Sequence, residues 1–522
     1  MSQADGLTDA PGPEHPPGAP ASERLGGNNM RRRDFCATGV AALAAAALPC
    51  RRAAASAGAD IPAVGLDGRQ LTLKSAHIED LRAGLRGELI SADQSAYEGA
   101  RRLWNPSFDR KPALIVRCVG AADVRRAVSF TAAHGLLTAV RGGGHSVSGQ
   151  SGCDGGLVID VSPMRAVEVD PIARVARVEA GALLGQLDRE ALAFGLVTPV
   201  GTVADTGVAG LTLGGGVGRI GRRFGLTCDN LLGAELVTAD GKWLRVSAAE
   251  NADLLWALRG GGGNFGVVTS FTFRLHEVTP IMYGGELSYP FADARQLLRG
   301  FADVVAAAPD ELYVDMAMGT APQGARWLGL TVCYCGPQAD AQRVVAPLRK
   351  IGKPLKDQLA VAPYATLQGS ADLRGISPLG AYGKGGLVYG ITPNLIDTMV
   401  EFTESAPSDG AFLWMQHQGG AISRVKPAAT AYFNRGASHN VGVFTSWKMP
   451  AGDTAREIDW VRRAWAKLEP QTRGQYVNLA ASDDREVRVH AAYGDNYPRL
   501  AALKKRYDPA NLFRLNANIK PA

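Results

Sequence analysis

The 522 residues are 46% hydrophobic and 20% charged. That is more apolar material than one core usually absorbs, so two or more folded domains are expected and a wholly disordered chain is excluded. The 63 glycines follow no G-X-Y period, which excludes collagen, and a net charge of +6 without long like-charge runs does not point to nucleic acid as a partner.

Residues 1–29 are rich in Gly, Pro, Ala, Ser and Asn and are read as a disordered leader. Arg31-Arg32-Arg33-Asp34-Phe35, an alanine-rich run over 37–48 and small residues up to Ala57 then follow the order of a signal peptide. The paired arginines with Phe35 after them look like a twin-arginine signal. Cleavage after Ala57 and export to the periplasm or the extracellular space are expected, and since this route carries folded proteins, so is a tightly held cofactor. The run at 37–48 is too short to span a hydrocarbon core of ~30 Å, so no stable membrane insertion is expected.

From about 60 to 280, helix-like and strand-like stretches alternate. A helix over 122–134 is stopped by Gly135 and followed by a strand up to Val140. Strands are read at 157–161 and 174–178, a helix at 185–194, a hairpin at 231–238 and 243–247 around Asp240-Gly241, a helix at 253–258 and a strand at 267–275. After Pro280, strands at 312–318 and 327–334 and helices near 339–349 and 394–404 suit a second α+β domain with a broad antiparallel sheet. A helix over 454–468 and a tail over 496–513 close the chain.

The seven cysteines form no CxxC and the eight histidines no HExxH, so no dedicated metal site is expected. Cys333 and Cys335 are read as ordinary strand residues. Three glycine-rich segments stand out: Arg141-Gly142-Gly143-Gly144-His145-Ser146, 201–218 (GTVADTGVAGLTLGGGVG) and 260–266 (GGGGNFG). Glycines let the backbone approach closely and turn free N–H groups toward a phosphate, so three such loops in one region favour a large anionic cofactor. Gly216-x-Gly218-x-x-Gly221 matches a dinucleotide fingerprint only formally, because no clean strand precedes it. No GxxxxGK[ST] or GxSxG motif is present.

RGGGHS at 141–146, CDGGLVIDVSPM at 153–164, TGVAGLTLGGGVG at 206–218, DNLLGAELVTADG at 229–241, LRGGGGNFGVVTSFTF at 258–273 and YGDNYPRLAALKKRYDPANLF at 493–513 resemble the FAD-dependent berberine-bridge-enzyme-like oxidoreductases, which are of the vanillyl-alcohol-oxidase type. The likeness runs from about residue 90 to the C-terminus. It implies an α+β protein with a PCMH-type FAD-binding domain over 75–280, completed by a C-terminal segment over 471–522, and a substrate-binding domain on an antiparallel sheet inserted at 281–470.

The resemblance also implies residue roles. His145 would join the flavin 8α-methyl, and because Val203 stands where many relatives carry a second linking cysteine, a single covalent link is expected. Cofactor contacts are implied for Arg141, Gly142, Gly143, Gly144, His145 and Ser146 in the first loop and for Gly201, Thr206, Gly207, Gly210, Leu213, Gly214 and Gly215 in the second. The same holds for Gly262, Asn264, Gly266 and Val267 in the third loop and for Asn496 in the tail. Thr206 would occupy the position, next to the family's flavin-facing glycine, that is thought to gate oxygen access, and its polarity leaves oxidase versus dehydrogenase open. Tyr476, in a Y-x-N segment whose following aromatic is replaced by Leu479, would be the catalytic base; a phenol near pKa 10 needs help, for which Arg473 or Arg435 is available. Gln416 belongs to a stretch that faces the substrate in relatives, and alternation would put Gln416 and Gln418 on one face and His417 on the other, with the inward face left open.

The implied activity is oxidation of an alcohol-bearing small molecule, a sugar lactol or a secondary metabolite, with O2 reduced to hydrogen peroxide. A dehydrogenase passing electrons to a quinone or carrier protein is the first alternative and a non-catalytic flavin- or ligand-binding protein the second. Substrate identity and oligomeric state are left open.

Overall fold

A hairpin of strands Ile61–Val64 and Gln70–Leu73 opens the computed structural model, which describes residues 59–369 and 379–522; the leader and signal read at 1–57 lie outside the described residues. Ala63 and Leu73 of the hairpin already belong to the first hydrophobic core, which therefore starts earlier than the boundary at 75.

The helix Ala121–His134 buries Val124, Ala127, Val128 and Thr131, the i, i+3, i+4, i+7 spacing of a single apolar stripe. Gly135 ends it at φ +59, a left-handed conformation that glycine adopts without strain. Strands Leu114–Arg117 and Thr138–Arg141 on either side of this helix both pair parallel with Leu157–Asp160. Glu88–Ile90 adds an antiparallel edge. An antiparallel five-stranded sheet runs Trp243–Ser247, Leu231–Val237, Val267–Arg274, Val175–Glu179, Val167–Asp170. Leu500, Leu512, Phe513 and Ile519 from the far end of the chain enter the same core.

Between these two parts of the chain lies an eight-stranded sheet whose central order is Ile281–Pro290, Arg326–Tyr334, Leu312–Thr320, Phe412–His417, His439–Lys448 and Leu379–Val388. All its pairings are antiparallel. Alternation decides what each face does. Leu312, Val314, Met316 and Met318, together with Leu413 and Met415, enter a second core. The helices Ala294–Ala306, Ala341–Lys350, Pro393–Glu404 and Ala455–Leu468 contribute Leu298, Phe301, Val345, Met399 and Trp460 to it. The residues between them on each strand point the other way, toward the loops of the first part. The fold is α+β, as expected, with a mixed four-stranded sheet in the first part and a wholly antiparallel one in the insert.

Candidate active site

A cavity of about 660 Å³ lies between the glycine loops and that second sheet face, within the range of about 300–1,000 Å³ of small-molecule and cofactor pockets. One wall is Gly142, Gly143, Gly144, His145 and Ser146 with Gly201, Thr206, Gly207, Gly210 and Leu213, and Gly262 and Gly266 also line it. The tail supplies Phe513, Leu515, Asn516 and Ala517, and the opposite wall is the sheet. Phe412, Trp414 and Gln416 line the cavity from alternate positions of one strand and Asp315 and Ala317 from the next; Thr331, Glu286 and Phe444 complete the face. Tyr476 to Ala480 bridge the two walls.

The first loop suits an anionic cofactor on grounds of its own. Among the described residues the backbone amides of Gly142, Gly143, Gly144 and His145 donate to no carbonyl, so they are available to hold phosphate or ring oxygens. Gly143 and Gly207 pass so closely that a Cβ on Gly143 would sit 2.5 Å from Gly207 N and 2.6 Å from its Cα. Neither loop can yield a side chain, since the clash is with backbone. Gly143→Ala is therefore expected to cost about 1–3 kcal/mol and to lower the cofactor-to-protein ratio of the purified protein; a ratio and melting temperature equal to wild type would refute this.

His145 stacks on Trp104 with ring centroids 4.2 Å apart and an interplanar angle of 23°. Its Nε2 lies 3.7 Å from Asp205 Oδ1, and neither buried atom has a hydrogen-bond partner among the described residues. Burial pulls the imidazole below its ordinary pKa against the opposing effect of Asp205, so it is neutral at pH 7.

Tyr476 is buried, and its phenolic oxygen accepts hydrogen bonds from Gly216 N (3.1 Å), Val217 N (3.3 Å) and Asn478 Nδ2 (2.9 Å). Burial raises its pKa, while these donors pull it down without reversing the shift. The expected help from arginine is absent. Arg435 makes a bidentate pair with Asp229, 2.7 Å at each contact, and Arg473 lies over the ring of Tyr389. Asn478 of the Y-x-N segment is what holds the phenol.

Other expected contacts also fall differently. Gly214 and Gly215 do not line the cavity; a Cβ on the first would meet Asn478 at 2.0 Å and on the second Tyr432 at 2.8 Å, so these glycines seat the Y-x-N segment and its neighbour. Arg141 turns its guanidinium to the Ala100 carbonyl. Val267 is a core residue at the start of its strand. The Asn264 side chain donates to the Gly261 and Ala517 carbonyls and accepts from Ile519 N, and the Asn496 amide is taken up by the Pro427 and Thr430 carbonyls. Both asparagines tie loops together outside the cavity lining.

Gln416 faces the cavity and His417 points away. The His417 Nε2 lies 2.9 Å from Arg222 Nη1, and its ring stacks on His439 at 5.0 Å. A guanidinium only donates, so Nε2 accepts and the ring is neutral; burial, His439 and Arg222 hold its pKa well down, and burial pushes that of His439 to about 3. Gln418 lies beyond the strand end and does not share the face of Gln416.

Asp315 is the residue that motif reading missed. It is 8% exposed, lines the cavity and accepts from His417 N at 3.2 Å. Burial pushes its carboxyl up to about 6, against the lowering effect of the Tyr313 hydroxyl and Arg219. A single carboxylate inside an otherwise apolar strand, LYVDMAMGT, was the available signal. None of the cysteines described here, all of them free, lines the cavity, whereas Val203 does.

Residues 112–247 match the model of an FAD binding domain and residues 475–520 that of the berberine and berberine-like segment. An uncharacterised FAD-linked oxidoreductase of Bacillus subtilis (strain 168) is 32% identical over 448 residues, 84% of this chain and 97% of that protein. Chitooligosaccharide oxidase of Gibberella zeae is 30% identical over 450 residues, covering 80% and 89%. The crystal structure of 6-hydroxy-D-nicotine oxidase from Arthrobacter nicotinovorans superposes with a TM-score of 0.77 at 29% identity, over 84% of this chain and 98% of that one. With its FAD-binding segment, its C-terminal segment and most of its length so matched, the chain belongs to the berberine-bridge-enzyme-like family of FAD-linked oxidoreductases.

Proposed function

We propose that the protein carries FAD on a single covalent bond from His145 and oxidises the CH–OH group of a small molecule, a sugar lactol or a secondary metabolite, with dioxygen as the electron acceptor. The observation that carries this reading is one cavity with loop amides lacking partners among the described residues and a buried histidine on one wall, and aromatic rings and a carboxylate on the other. When bound, the flavin supplies an acceptor for the hydride of the substrate carbon.

The protein's residues do the rest. Phe412, Trp414 and Phe444 offer flat apolar faces that suit a sugar or aromatic ring and exclude water. Thr331, Gln416 and Glu286 offer hydrogen bonds around it. Asp315, ionised at neutral pH, takes the hydroxyl proton; the carboxamide of Gln416 cannot. The Tyr476 oxygen already accepts three donors, which leaves its own O–H to orient the reacting hydroxyl. Thr206 on the cavity wall is compatible with access of oxygen, and reoxidation faster with a quinone dye than with air would favour the dehydrogenase alternative. The signal-like segment before residue 58 supports export by the twin-arginine route.

Peptide mass spectrometry of acid-precipitated holoenzyme tests the cofactor linkage. One FAD is expected on the peptide bearing His145, all cysteines free, and no acid-stable flavin in His145→Ala. Release of all flavin from the wild type would overturn the covalent assignment.

A further inference from the structure

We propose that Asp205 is a positioning residue that prepares His145 for bond formation with the flavin 8α-carbon, an inference that rests on the covalent reading above. Two buried polar atoms without hydrogen-bond partners among the described residues, His145 Nε2 and Asp205 Oδ1, face each other at 3.7 Å. Buried polar atoms left unpaired are costly and rare in native proteins, so two that confront each other need a reason. The backbone around Asp205 is pinned: Thr206 N donates to Val203 O, Gly185 N to Ala204 O and Leu184 N to Thr206 O. On its other side the imidazole is held flat against Trp104. The pair is thus fixed from both ends, and a shift of under 1 Å closes it to a hydrogen bond.

A neutral imidazole carries its proton on one nitrogen, and a carboxylate opposite Nε2 selects the tautomer protonated there. Nε2 is buried against Asp205, so bond formation falls to Nδ1, the nitrogen that this tautomer leaves unprotonated. The lowered basicity of His145 keeps this form at neutral pH. In the attachment step one proton leaves the 8α-methyl group and the Nδ1–carbon bond forms. Nε2 then releases its proton toward Asp205. The two electrons stay in the flavin ring until dioxygen takes them with two protons as hydrogen peroxide, so atoms and electrons balance. Asp205 matches the positive charge that develops on the ring during attack, the service a carboxylate performs for a histidine in acyl-transfer triads.

The test uses full-length apoprotein from a riboflavin-starved host, mixed with FAD in air, with incorporation followed by in-gel flavin fluorescence and by mass gain on the His145 peptide. For Asp205→Asn the expected result is non-covalent FAD affinity within about threefold of wild type and covalent incorporation slowed at least tenfold. Asp205→Glu should recover part of the rate, and added formate should accelerate Asp205→Ala, which a purely structural role would not allow. Incorporation into Asp205→Asn at the wild-type rate overturns the proposal and leaves the His145 linkage standing. Loss of FAD binding in Asp205→Asn also overturns it, since the residue would then serve the fold. A wild-type protein that gains no covalent flavin overturns the linkage itself, and with it the role of Asp205.

Discussion

Replacing Asp315 by asparagine is expected to slow substrate oxidation by about 10²- to 10⁴-fold, the usual worth of a positioned base, while making the folded protein more stable at neutral pH. Asparagine keeps an oxygen for the His417 amide, which now contacts Asp315 Oδ1 at 3.2 Å, so the local backbone has no cause to move. The stability argument follows from the direction of the shift. Burial raises the native carboxyl from 3.8 to about 6, so between these values the native state binds more protons than the unfolded one, and stability falls as pH rises through that window. Above pH 6 the full cost is present, about 3 kcal/mol at most for a shift of this size. Asp315→Asn escapes it. The variant should therefore unfold at higher denaturant concentration than wild type at pH 7, with the advantage shrinking to nothing near pH 4. Anaerobic flavin bleaching by an alcohol substrate should lose its acidic limb near pH 6 in the variant. A variant that bleaches at the wild-type rate would remove Asp315 from the proton path, whatever its stability.

How much of this was readable from the chain depends on whether the cause was local. The helix Ala121–His134 and the hairpin across Asp240-Gly241 were legible because their signals, a 3.6-residue stripe ended by glycine and an Asp-Gly turn between apolar runs, lie within a few residues of one another. The glycine loops were legible as motifs, and most of their residues do line the cavity. What was not legible is who meets whom across the fold. Tyr476 was singled out, but its partners Gly216 and Val217 are some 260 positions away, and no arginine within its own segment takes their place. Gln416 was placed on an alternating strand, yet which face looked inward depended on the antiparallel pairing with Leu312–Thr320. The same pairing is what brings the Asp315 strand beside it. Asn264 and Asn496 were assigned to the cofactor through their motifs. Their amides instead satisfy backbone carbonyls where loops cross, a role that only the packed chain reveals.

That crossing is where the second large effect is expected: Lys504→Met should cost about 3–5 kcal/mol in urea unfolding and loosen the cofactor site with it. Lys504 and Asp508 form an ion pair at 2.6 Å with both side chains 0% exposed. The ammonium also donates to the Asn264 carbonyl at 2.8 Å and the Phe513 carbonyl at 3.0 Å, so all three of its protons are used. On the other side the Asp508 carboxylate accepts from Leu512 N at 2.7 Å and Phe513 N at 2.9 Å. Methionine fills a similar volume, so no large cavity opens, and the loss is electrostatic: a buried carboxylate without its cation and two carbonyls without a donor. Removing both charges, as in Lys504→Met with Asp508→Asn, should cost less than the sum of the single changes, because the uncompensated charge is what hurts. The effect reaches the cavity because Asn264 is the joint of the third glycine loop and Phe513, Leu515, Asn516 and Ala517 are cavity wall. Freed from Lys504, the third loop and the tail lose their common anchor. The variant should therefore release non-covalent FAD from the apoprotein complex at least tenfold faster than wild type, in parallel with its lost stability. If it unfolds as expected but holds FAD as tightly as before, the tail is a fastening of the core alone and takes no part in shaping the site.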